Sequence, residues 1–389
     1  MIEFSIIMPV YNNEKYFPLA VKSIENQNYD NYELIVVEDG STDRTPQIAD
    51  FLATKNMHMK VIHQKNQWIY NSFNNGIALA SGKYIYILNS DDALMPGTLA
   101  LFERKIREYN PDIIWTKVLI HECDAEQNII TYDKLHLNQY VIEEHFYGNK
   151  SEVEKAWPYF VSSKLAWNQA NLYRREIMQS QLFRNDVYGA DTLYNISIAD
   201  KIRSALVLQE PVYFHYIYGN ETMNASIGKY YSYTQAMHNE IYNNYLHLFQ
   251  NWGLEQENYM EMLYKIRMSA LTGELRALQA ANCPLSIEDK LQYAFCGCID
   301  ETVKKCVLKS NRDEELESRI LSGVRELLLK EDINIDNKMY FAYELLNSLL
   351  CYEKDDQDYR TIENAVNHPL NPYHIGGVFY RKLITNKAH

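Results

Sequence analysis

The fold is decided by the start of the chain, where residues 5–41 read SIIMPVYNNEKYFPLAVKSIENQNYDNYELIVVEDGS. Two runs rich in apolar and β-branched residues, 5–10 and 33–37, have the length of buried strands. Between them, apolar side chains recur at i, i+3, i+4 and i+7, as on one helix face: Phe17, Ala20, Val21 and Ile24. This order predicts a βαβ unit with two parallel strands.

The same alternation continues to residue 109. Residues 61–63 and 84–88 have strand composition, and Thr45-Pro46 supplies a cap and a proline suited to a first helical turn. Apolar spacing predicts three further helix faces: Ile48, Phe51 and Leu52; Ile69, Phe73, Ile77 and Ala80; and Leu99, Phe102, Ile106 and Tyr109. Repeated βα units predict an α/β fold with a mostly parallel central sheet and helices on both faces.

The second half of the chain has a different pattern. Strand and helix signals are mixed between residues 110 and 224, which we interpret as completion of the same domain. Beyond residue 229 helical spacing prevails, as in Tyr259, Met262, Leu263 and Ile266. We therefore expect an α/β domain over residues 1–228 and a mainly α-helical extension over residues 229–389.

Composition narrows the classes of function. The 389 residues carry a formal net charge of −13, which disfavours binding to nucleic acid or anionic lipid, since both favour a basic surface. No apolar run of about 18 residues is present, and residues 5–10 lead straight into polar residues, as a strand does and a signal segment does not. We expect a cytoplasmic protein without a transmembrane segment, or one peripheral to the inner face of the membrane.

The six cysteines include no CxxC pair. This favours reduced thiols over a zinc site.

Polar segments follow three of the predicted strands. In open parallel sheets, ligands bind beyond the carboxyl ends of the strands. The segments are Tyr11-Asn12-Asn13, Glu38-Asp39-Gly40-Ser41 and Asn89-Ser90-Asp91-Asp92. We expect them to line one site.

These segments and the strands before them resemble family 2 glycosyltransferases. The family patterns VSIIxPxYN, ELIVVDDGSxDxT and AxGxYIxFLDxDD are followed, with few departures, by residues 4–12, 33–45 and 80–92. The resemblance covers residues 1–105 and continues weakly to residue 225. It implies a GT-A type nucleotide-sugar-binding fold, a nucleoside diphosphate sugar donor, a divalent cation and inversion at the anomeric carbon.

The residues after the first two strands suit a nucleotide. Asp39 leaves its strand into a glycine turn, where one carboxylate can accept the N3 proton of uracil; an exposed loop acid is the alternative. Tyr11 can stack on the base, while Asn12 offers either a polar contact or only loop structure. The candidate donor-binding residues here are Pro9, Val10, Tyr11, Asn12 and Asp39.

The segment after the fourth strand matches the family's metal motif. Asn89 and Asp91 stand at i and i+2, so they face the same side of extended backbone. The resemblance makes Asp91 a ligand of Mn²⁺ or Mg²⁺, which neutralises the diphosphate. The family usually has Asp at the first position, so we expect Asn89 and Ser90 to contact the donor, whereas Asp92 suits a helix cap.

Two further positions depart from the family. Where the family commonly has N-x-G and then Arg-Asn, this chain has Asn66-Gln67-Trp68 and Phe73-Asn74. Asn66 and Asn74 match and are candidate donor contacts, with helix packing as the alternative for Asn74. A phosphate-binding arginine is absent at position 73, and Trp68 suits either a wall of the donor pocket or the core.

The candidate general base lies in FRNDVYGADTLYN, residues 183–195. This segment resembles the one in which the family carries a Glu-Asp pair before an apolar helix. Asp191 matches the Asp and Ala190 replaces the Glu, so the resemblance makes Asp191 the catalytic base. A helix N-terminal acid is the alternative.

Acceptor and metal contacts complete the candidate site. Trp167 and Asn168 stand where the family often has an aromatic residue that contacts the acceptor, with core packing as the alternative. The run PVYFHY resembles a strand lining the metal pocket, which makes His215 a possible metal ligand or a structural histidine.

Together these features predict an inverting glycosyltransferase. It would move a hexosyl or N-acetylhexosaminyl group from a UDP-sugar to a hydroxyl of a saccharide or glycoconjugate, in bacterial cell-surface polysaccharide or glycoconjugate synthesis. We expect the helical extension to place the acceptor or to form a homo-oligomer.

Two alternatives remain. A catalytically impaired nucleotide-sugar-binding protein is motivated by Asn89, Ala190 and the missing arginine. A nucleotidyltransferase would need a basic, glycine-rich phosphate loop near the first strand, which the sequence lacks. A dinucleotide dehydrogenase is disfavoured because no GxGxxG follows a strand.

Overall fold

The predicted alternation of strands and helices is present in the computed structural model, which describes residues 2–124, 128–131, 143–162, 168–218, 229–255, 257–286 and 289–290. The chain divides into two units, Met1–Ala225 and Ser226–His389. The boundary expected between residues 228 and 229 stays a prediction.

The first unit contains a ten-stranded sheet. Its strands in the described residues are β1 Phe4–Val10, β2 Tyr32–Glu38, β3 Met59–His63, β4 Tyr84–Ile87, β5 Ala93–Leu94, β6 Ile113–Cys123, β7 Ile129–Thr131, β8 His145–Tyr147, β9 Leu172–Arg174 and β10 Ala205–Tyr218. The helices described in this unit are α1 Phe17–Glu25, α2 Thr45–Lys55, α3 Ile69–Leu79, α4 Thr98–Tyr109, α5 Lys150–Ser162, α6 Arg175–Met178 and α7 Ala190–Ala199.

The order of the strands is β3-β2-β1-β4-β9-β6-β10-β5, with β7 beside β6 and β8 beside β10. β1 pairs in parallel with β2 and β4, and β2 pairs in parallel with β3. β9 is antiparallel to both of its neighbours, whereas β10 runs parallel to β6. The predicted α/β class with a mostly parallel central sheet is confirmed, and the carboxyl ends of β1, β2 and β4 lie at one edge.

Both faces of β1 and β2 are covered, since every residue of these strands is buried. Strands buried on both faces need an almost continuous apolar sequence, as in FSIIMPV. The apolar face of α1 is buried as predicted: Phe17, Ala20, Val21 and Ile24. Each large apolar side chain that is fully buried contributes about 1.5–3 kcal/mol to folding. This packing fixes the strand ends at which the site forms.

The predicted apolar face of α2 is wrong in part. Phe51 is 60% exposed, whereas Ala49 is completely buried. The buried residues of α2 are Thr45 and Ala49, four positions apart on one helix face. Phe51 stands two positions beyond Ala49, about 200° further around the helix, and therefore points away from the sheet.

A buried carboxylate ties the sheet together at the edge opposite to that of the strand ends. Glu33 accepts hydrogen bonds from the Ser5 hydroxyl and from the backbone N–H and hydroxyl of Ser81, all at 2.7 Å, and Lys60 Nζ lies 2.8 Å away. Burial raises the pKa of Glu33, but these hydrogen bonds outweigh it and hold the pKa at about 2. At Gly82 a Cβ would lie 2.6 Å from the Ser5 backbone nitrogen, so the turn needs glycine.

The second unit contains two helices in its described residues, α8 Thr234–Asn251 and α9 Glu257–Ala277. A buried ion pair lies in this unit: Arg267 Nη1 donates to Glu274 Oε1 at 3.0 Å, and His238 Nδ1 lies 2.8 Å from the same oxygen. The expectation of a mainly helical extension over residues 229–389 stays a prediction. In the part of the chain that the structure describes, no helix has the length and apolar character needed to cross a bilayer.

Candidate functional site

Three loops are joined beyond the carboxyl ends of β1, β2 and β4, where the sequence predicts a ligand site. The Asn12 backbone N–H donates to Ser41 Oγ at 2.9 Å, and the Asn13 side-chain amide donates to Ser90 Oγ at 3.0 Å. The Thr42 backbone N–H donates to Asn12 Oδ1 at 2.7 Å. Because the loop after β1 is fastened to both others, the polar segments form one connected edge.

Some of the predicted donor contacts also have structural roles. The amide oxygen of Asn12 accepts from Thr42, and the hydroxyl oxygen of Ser90 accepts from Asn13. Pro9 and Val10 are buried within β1, and the Val10 carbonyl accepts the Asp39 N–H at 2.9 Å. Contacts of Pro9, Val10, Asn12 and Ser90 with a donor stay predictions.

Asp39 is the first residue after β2 and is only 4% exposed. Its Oδ1 accepts hydrogen bonds from Gln64 Nε2 at 2.7 Å and from the Gln67 backbone N–H at 2.9 Å. Its Oδ2 has no hydrogen-bond partner among the residues that the structure describes. One oxygen therefore holds the carboxylate in place, and the other is open to a ligand.

The turn after Asp39 requires glycine. Gly40 has a φ of +73°, and a Cβ there would lie 2.7 Å from the Asn66 backbone nitrogen. This close approach lets the loop after β3 pack against the end of β2. The side chains of Asn66 and Tyr11 are exposed, so both can contact a ligand beside Asp39.

Asp92, after β4, is 2% exposed, and its carboxylate accepts four hydrogen bonds. Oδ1 accepts from the Tyr216 backbone N–H and from His215 Nδ1, both at 3.0 Å. Oδ2 accepts from the Tyr213 hydroxyl at 2.6 Å and from the Asn89 amide at 3.3 Å. The prediction that Asp92 caps a helix is wrong, because α4 has no side-chain cap and Asp92 is engaged with β10 instead.

Asp91 and His215 adjoin this carboxylate. His215 uses Nδ1 for Asp92, and its Nε2 has no hydrogen-bond partner in the described ranges. Burial lowers the pKa of His215, but the hydrogen bond to Asp92 and the charges of Asp92 and Asp91 outweigh it, so the pKa is raised. Burial, together with the neighbouring Asp92, raises the pKa of Asp91 to about 7. A cation would stabilise the charged form of such an acid.

The side chains of Asp91 and His215 suit a divalent cation that also binds a ligand. Asp91 offers carboxylate oxygens, and His215 offers an imidazole whose other nitrogen is held by a carboxylate, an arrangement that is frequent in metal sites. Among the described residues, His, Cys, Asp and Glu form no group of three or more that could hold a metal ion. Hard cations such as Mg²⁺ commonly complete their coordination with substrate phosphates.

Asp191 lies in the first turn of α7, as predicted from its sequence context. Its Oδ1 accepts the Thr192 N–H at 2.8 Å, while its Oδ2 has no hydrogen-bond partner among the described residues. Burial raises the pKa of Asp191. An open oxygen and a raised pKa suit a general base. Asp186, by contrast, is exposed, and hydrogen bonds from Arg184 at 2.7 and 2.9 Å lower its pKa.

The segment that precedes α7 is held by α3. The Asn74 amide accepts from the Phe183 backbone N–H and donates to the Phe183 carbonyl, both at 2.8 Å. The Tyr70 hydroxyl donates to the Tyr188 carbonyl. These contacts support the packing alternative for Asn74, whose donor contact stays a prediction. One helix therefore connects the loop after β3 to the segment before α7.

Comparison with known proteins identifies the part of the chain that contains the strand-end loops. Residues 5–178 match the family model described as glycosyl transferase family 2. These residues form a family 2 glycosyltransferase domain. Glycosyltransferase GlyG of Streptococcus pneumoniae is 34% identical over 111 residues, which are 28% of this chain and 37% of GlyG. Glycosyltransferase EpsJ of Bacillus subtilis is 25% identical over 215 residues, which are 54% of this chain and 60% of EpsJ. The chain thus spans less than two thirds of the length of either relative.

The fold of the glycosyltransferase domain is shared with a solved structure. S. aureus TarS 1–349 in complex with UDP-GlcNAc is 18% identical to this chain, with a TM-score of 0.55, over 94% of this chain and 91% of TarS 1–349. At this identity the likeness shows the fold alone. It confirms the predicted GT-A type architecture.

Of the two predicted acceptor contacts, the structure describes Asn168 and not Trp167. Trp167 lies outside the described residues. Asn168 is completely buried, and its amide has no hydrogen-bond partner in the described part of the chain. A bridge between Gln169 and Ile87 places Asn168 beside β4. Its contact with an acceptor stays a prediction.

Sequence reasoning missed Gln64 and Tyr213, which position Asp39 and Asp92. A signal for Tyr213 was present, because Tyr213 and His215 stand at i and i+2 in a strand and therefore face the same side. No local pattern points to Gln64, which reaches Asp39 only because β3 lies beside β2.

Proposed function

We propose that the glycosyltransferase domain transfers a hexosyl or N-acetylhexosaminyl group from a UDP-sugar to a hydroxyl of a saccharide or glycoconjugate, with inversion and with Mn²⁺ or Mg²⁺. One observation carries the proposal. At one sheet edge, the half-open carboxylate of Asp39 follows β2, while Asp91 and Asp92 follow β4, and His215 of β10 is hydrogen-bonded to Asp92. Such an edge offers separate groups for the base and for the diphosphate of one donor.

The base binds at Asp39 in this proposal. The open Oδ2 accepts the uracil N3 proton, while Gln64 and Gln67 hold Oδ1. Tyr11, which is 46% exposed, offers a ring for stacking on the base. A hydrogen bond to a charged acceptor contributes about 1.5–3 kcal/mol, which is enough to favour uracil over a base without a donor at that position.

Asp91 and His215 would hold the cation, which would supply positive charge for the diphosphate. Asp92 fixes the ring of His215 so that Nε2 is free to bind metal. Mn²⁺ or Mg²⁺, when bound, stabilises the negative charge that develops on the departing diphosphate. Asn89 and Ser90 border this position, Asn89 with an amide oxygen that is buried and has no partner among the described residues.

Asp191 is the general base. Its Oδ2 accepts the proton of the acceptor hydroxyl as that oxygen attacks the anomeric carbon. The bond between the anomeric carbon and the diphosphate oxygen breaks on the opposite side, and its electron pair leaves with UDP. A single displacement inverts the configuration.

The wider setting completes the proposal. The acceptor contacts Trp167 and Asn168, the enzyme acts in the cytoplasm in cell-surface polysaccharide or glycoconjugate synthesis, and residues 229–389 place the acceptor or join a second copy. The acceptor contacts rest on the resemblance of the sequence to the family, whereas the role of residues 229–389 rests on their helical spacing.

A panel of UDP-sugars tests the proposal. The full chain is incubated with each sugar and with Mn²⁺, Mg²⁺ or a chelator, and released UDP is measured with and without candidate saccharide acceptors. We expect cation-dependent release that an acceptor increases. The Asp186→Asn variant is the matched control, because it removes an exposed acid of the same segment and should retain activity. No UDP release from any sugar with either cation would refute the proposed activity.

A non-catalytic nucleotide-sugar-binding protein is the second candidate, favoured by position 73. Phe73 is 1% exposed, and its ring lies 5.3 Å from that of Phe183 and 6.2 Å from that of Tyr70. An aromatic cluster thus occupies the position at which the family commonly has a phosphate-binding arginine. This candidate predicts that UDP-sugars bind in calorimetry but release no UDP under any condition.

A further inference from the structure

The backbone of Trp68 has a conformation that only glycine adopts readily. Its φ is +74° and its ψ is 158°, a region in which a side chain at Cβ is crowded. A bulky residue persists in this region only when the surrounding structure fixes its backbone, and such strained residues cluster at functional sites. The position of Trp68 therefore calls for a functional explanation.

The surroundings hold this conformation from both sides. On one side, Gln67 donates its backbone N–H to Asp39 Oδ1 at 2.9 Å. On the other side, the Trp68 carbonyl accepts the backbone N–H groups of Asn71 and Ser72, at 3.1 and 3.2 Å, at the start of α3. Trp68 therefore connects Gln67, whose backbone N–H positions Asp39, to the first turn of α3.

Core packing does not explain the indole. Trp68 is only half-buried, and its ring meets that of Tyr70 edge-on at 5.7 Å. Tyr70 is itself buried and stacks on Phe183, with the ring centroids 6.0 Å apart. The partly exposed indole thus lies on a fixed aromatic base, one residue away from the contact that positions Asp39.

Trp68 and Tyr11 belong to the loops after the two strands that flank β2, and Asp39 stands at the end of β2. Asp39 follows β2, Tyr11 follows β1 on one side of it, and Trp68 follows β3 on the other. Both aromatic side chains are at least partly exposed, and Asp39 has an open oxygen between these strands. Aromatic faces favour the planar rings of nucleobases.

We infer that Trp68 is a specificity-determining residue of the donor site and that its indole forms the aromatic wall for the nucleoside, on the side opposite Tyr11. The inference rests on the proposed function, because it assumes that Asp39 binds the base. The strained backbone is retained because it directs the indole toward the nucleoside. Removal of the indole therefore weakens nucleoside binding even where removal of the strain stabilises the fold.

Four variants of the full chain separate these effects. Trp68→Gly relieves the strain and removes the indole, Trp68→Ala removes only the indole, and Trp68→Phe keeps an aromatic ring. Asn28→Gly is the matched control, because Asn28 is an exposed residue with a φ of +50° between α1 and β2, away from the strand ends of the site. Thermal midpoints are measured without ligand, and calorimetry gives the affinities for UDP, UMP and uridine.

We expect Trp68→Gly and Trp68→Ala to weaken binding of all three ligands by roughly 5- to 100-fold, the range of a lost base–aromatic stack. Trp68→Phe should stay within a few-fold of the unaltered chain, and Asn28→Gly should bind as the unaltered chain does. The midpoint of Trp68→Gly should equal or exceed that of the unaltered chain, whereas that of Trp68→Ala should not rise. Unchanged UDP affinity in Trp68→Gly and Trp68→Ala would overturn the inference and leave the proposed function intact. Failure of the unaltered chain to bind UDP would overturn both.

Discussion

The carboxylates of the first unit differ in how completely their oxygens are hydrogen-bonded. Glu33 and Asp92 each accept four hydrogen bonds. Asp39 and Asp191 each keep one oxygen without a partner among the described residues. A saturated carboxylate holds distant segments together, whereas an open one can accept a proton or a hydrogen bond from a ligand. We therefore expect the first pair to contribute mainly to the stability of the fold, and the second pair to contribute to ligand binding and catalysis.

The largest expected effect is on the open carboxylate of α7. Asp191→Asn keeps the size of the side chain and an oxygen for the Thr192 N–H, but it removes the proposed general base. Sugar transfer should fall by roughly 10²–10⁴-fold, while UDP affinity and the unfolding midpoint stay near those of the unaltered chain. Transfer is measured with the best donor and acceptor of the panel, beside Asp186→Asn. Near-normal transfer by Asp191→Asn would move the base to another acid.

The pH dependence of transfer follows from the same group. Burial raises the pKa of Asp191, and the base must be deprotonated to act. Transfer should therefore decline as pH falls through the raised pKa, at a higher pH than for an ordinary aspartate. A profile of kcat against pH checks this. If the acidic limb lies at or below the usual range of aspartate, Asp191 is not the group that titrates.

Loss of the saturated Asp92 carboxylate should affect stability more than loss of the neighbouring Asp91 carboxylate. Asp92→Asn places an amide NH₂ among buried donors from β10, which should lower the free energy of unfolding by about 2–4 kcal/mol. Asp91→Asn is the matched control. It removes a charge that burial disfavours and should leave stability unchanged or raised. Urea unfolding measures both, and equal losses would mean that saturation does not distinguish the two acids.

A smaller effect is expected at Asp39, because its open oxygen is proposed to bind the nucleobase and to take no part in the chemical step. Asp39→Asn keeps an oxygen for Gln64 and Gln67 but turns an NH₂ group toward the nucleobase. UDP affinity should fall by about 10- to 100-fold, the equivalent of a lost charge-assisted hydrogen bond, with little change in stability. Calorimetry with UDP decides the matter. An unchanged affinity for UDP would contradict the proposed hydrogen bond between Oδ2 and the nucleobase.

The smallest effect on sugar transfer concerns Glu33, far from the strand-end loops. Its pKa is lowered from 4.5 to about 2, so its charged form stabilises the fold fully above pH 4.5, and this contribution is lost as pH falls toward 2. Glu33→Gln should therefore lower the free energy of unfolding by about 3 kcal/mol at pH 7, with a difference that shrinks toward pH 2. Urea unfolding at several pH values tests this, and transfer per folded molecule should not change. A difference that is constant with pH would exclude the hydrogen-bonded charge as its cause.

The sequence predicts the parts of the site that depend on strand order alone. Alternating βα units imply parallel strands, and the polar residues after them must then gather at one edge, which places Asp39 and Asp91 correctly. Local spacing also predicts the buried face of α1 and the start of α7. The two helix features are each encoded by a short stretch of sequence.

The roles that depend on distant partners were not predictable in the same way. The sequence around Asp92 indicates a helix cap, because its partners on β10 are 121 to 124 residues away and no local pattern predicts them. The packing role of Asn74 depends on Phe183, which is 109 residues away and hydrogen-bonds with its amide. Which oxygen of a carboxylate is occupied depends on the tertiary pairing of strands and loops, and no local pattern specifies it.

The dependence of Asp92 on β10 has a consequence for biosynthesis. The ribosome adds about 5–20 residues per second, so His215 is made roughly 6–25 s after Asp92, from which it is separated by 123 residues. During that interval the emerging chain already has Asp39 and Asp91 but lacks the histidine and the two tyrosines that complete the cluster. A polypeptide released before residue 213 would therefore carry the amino-terminal motifs and still lack the partners of Asp92 on β10. Assembly of the site thus marks completion of the domain.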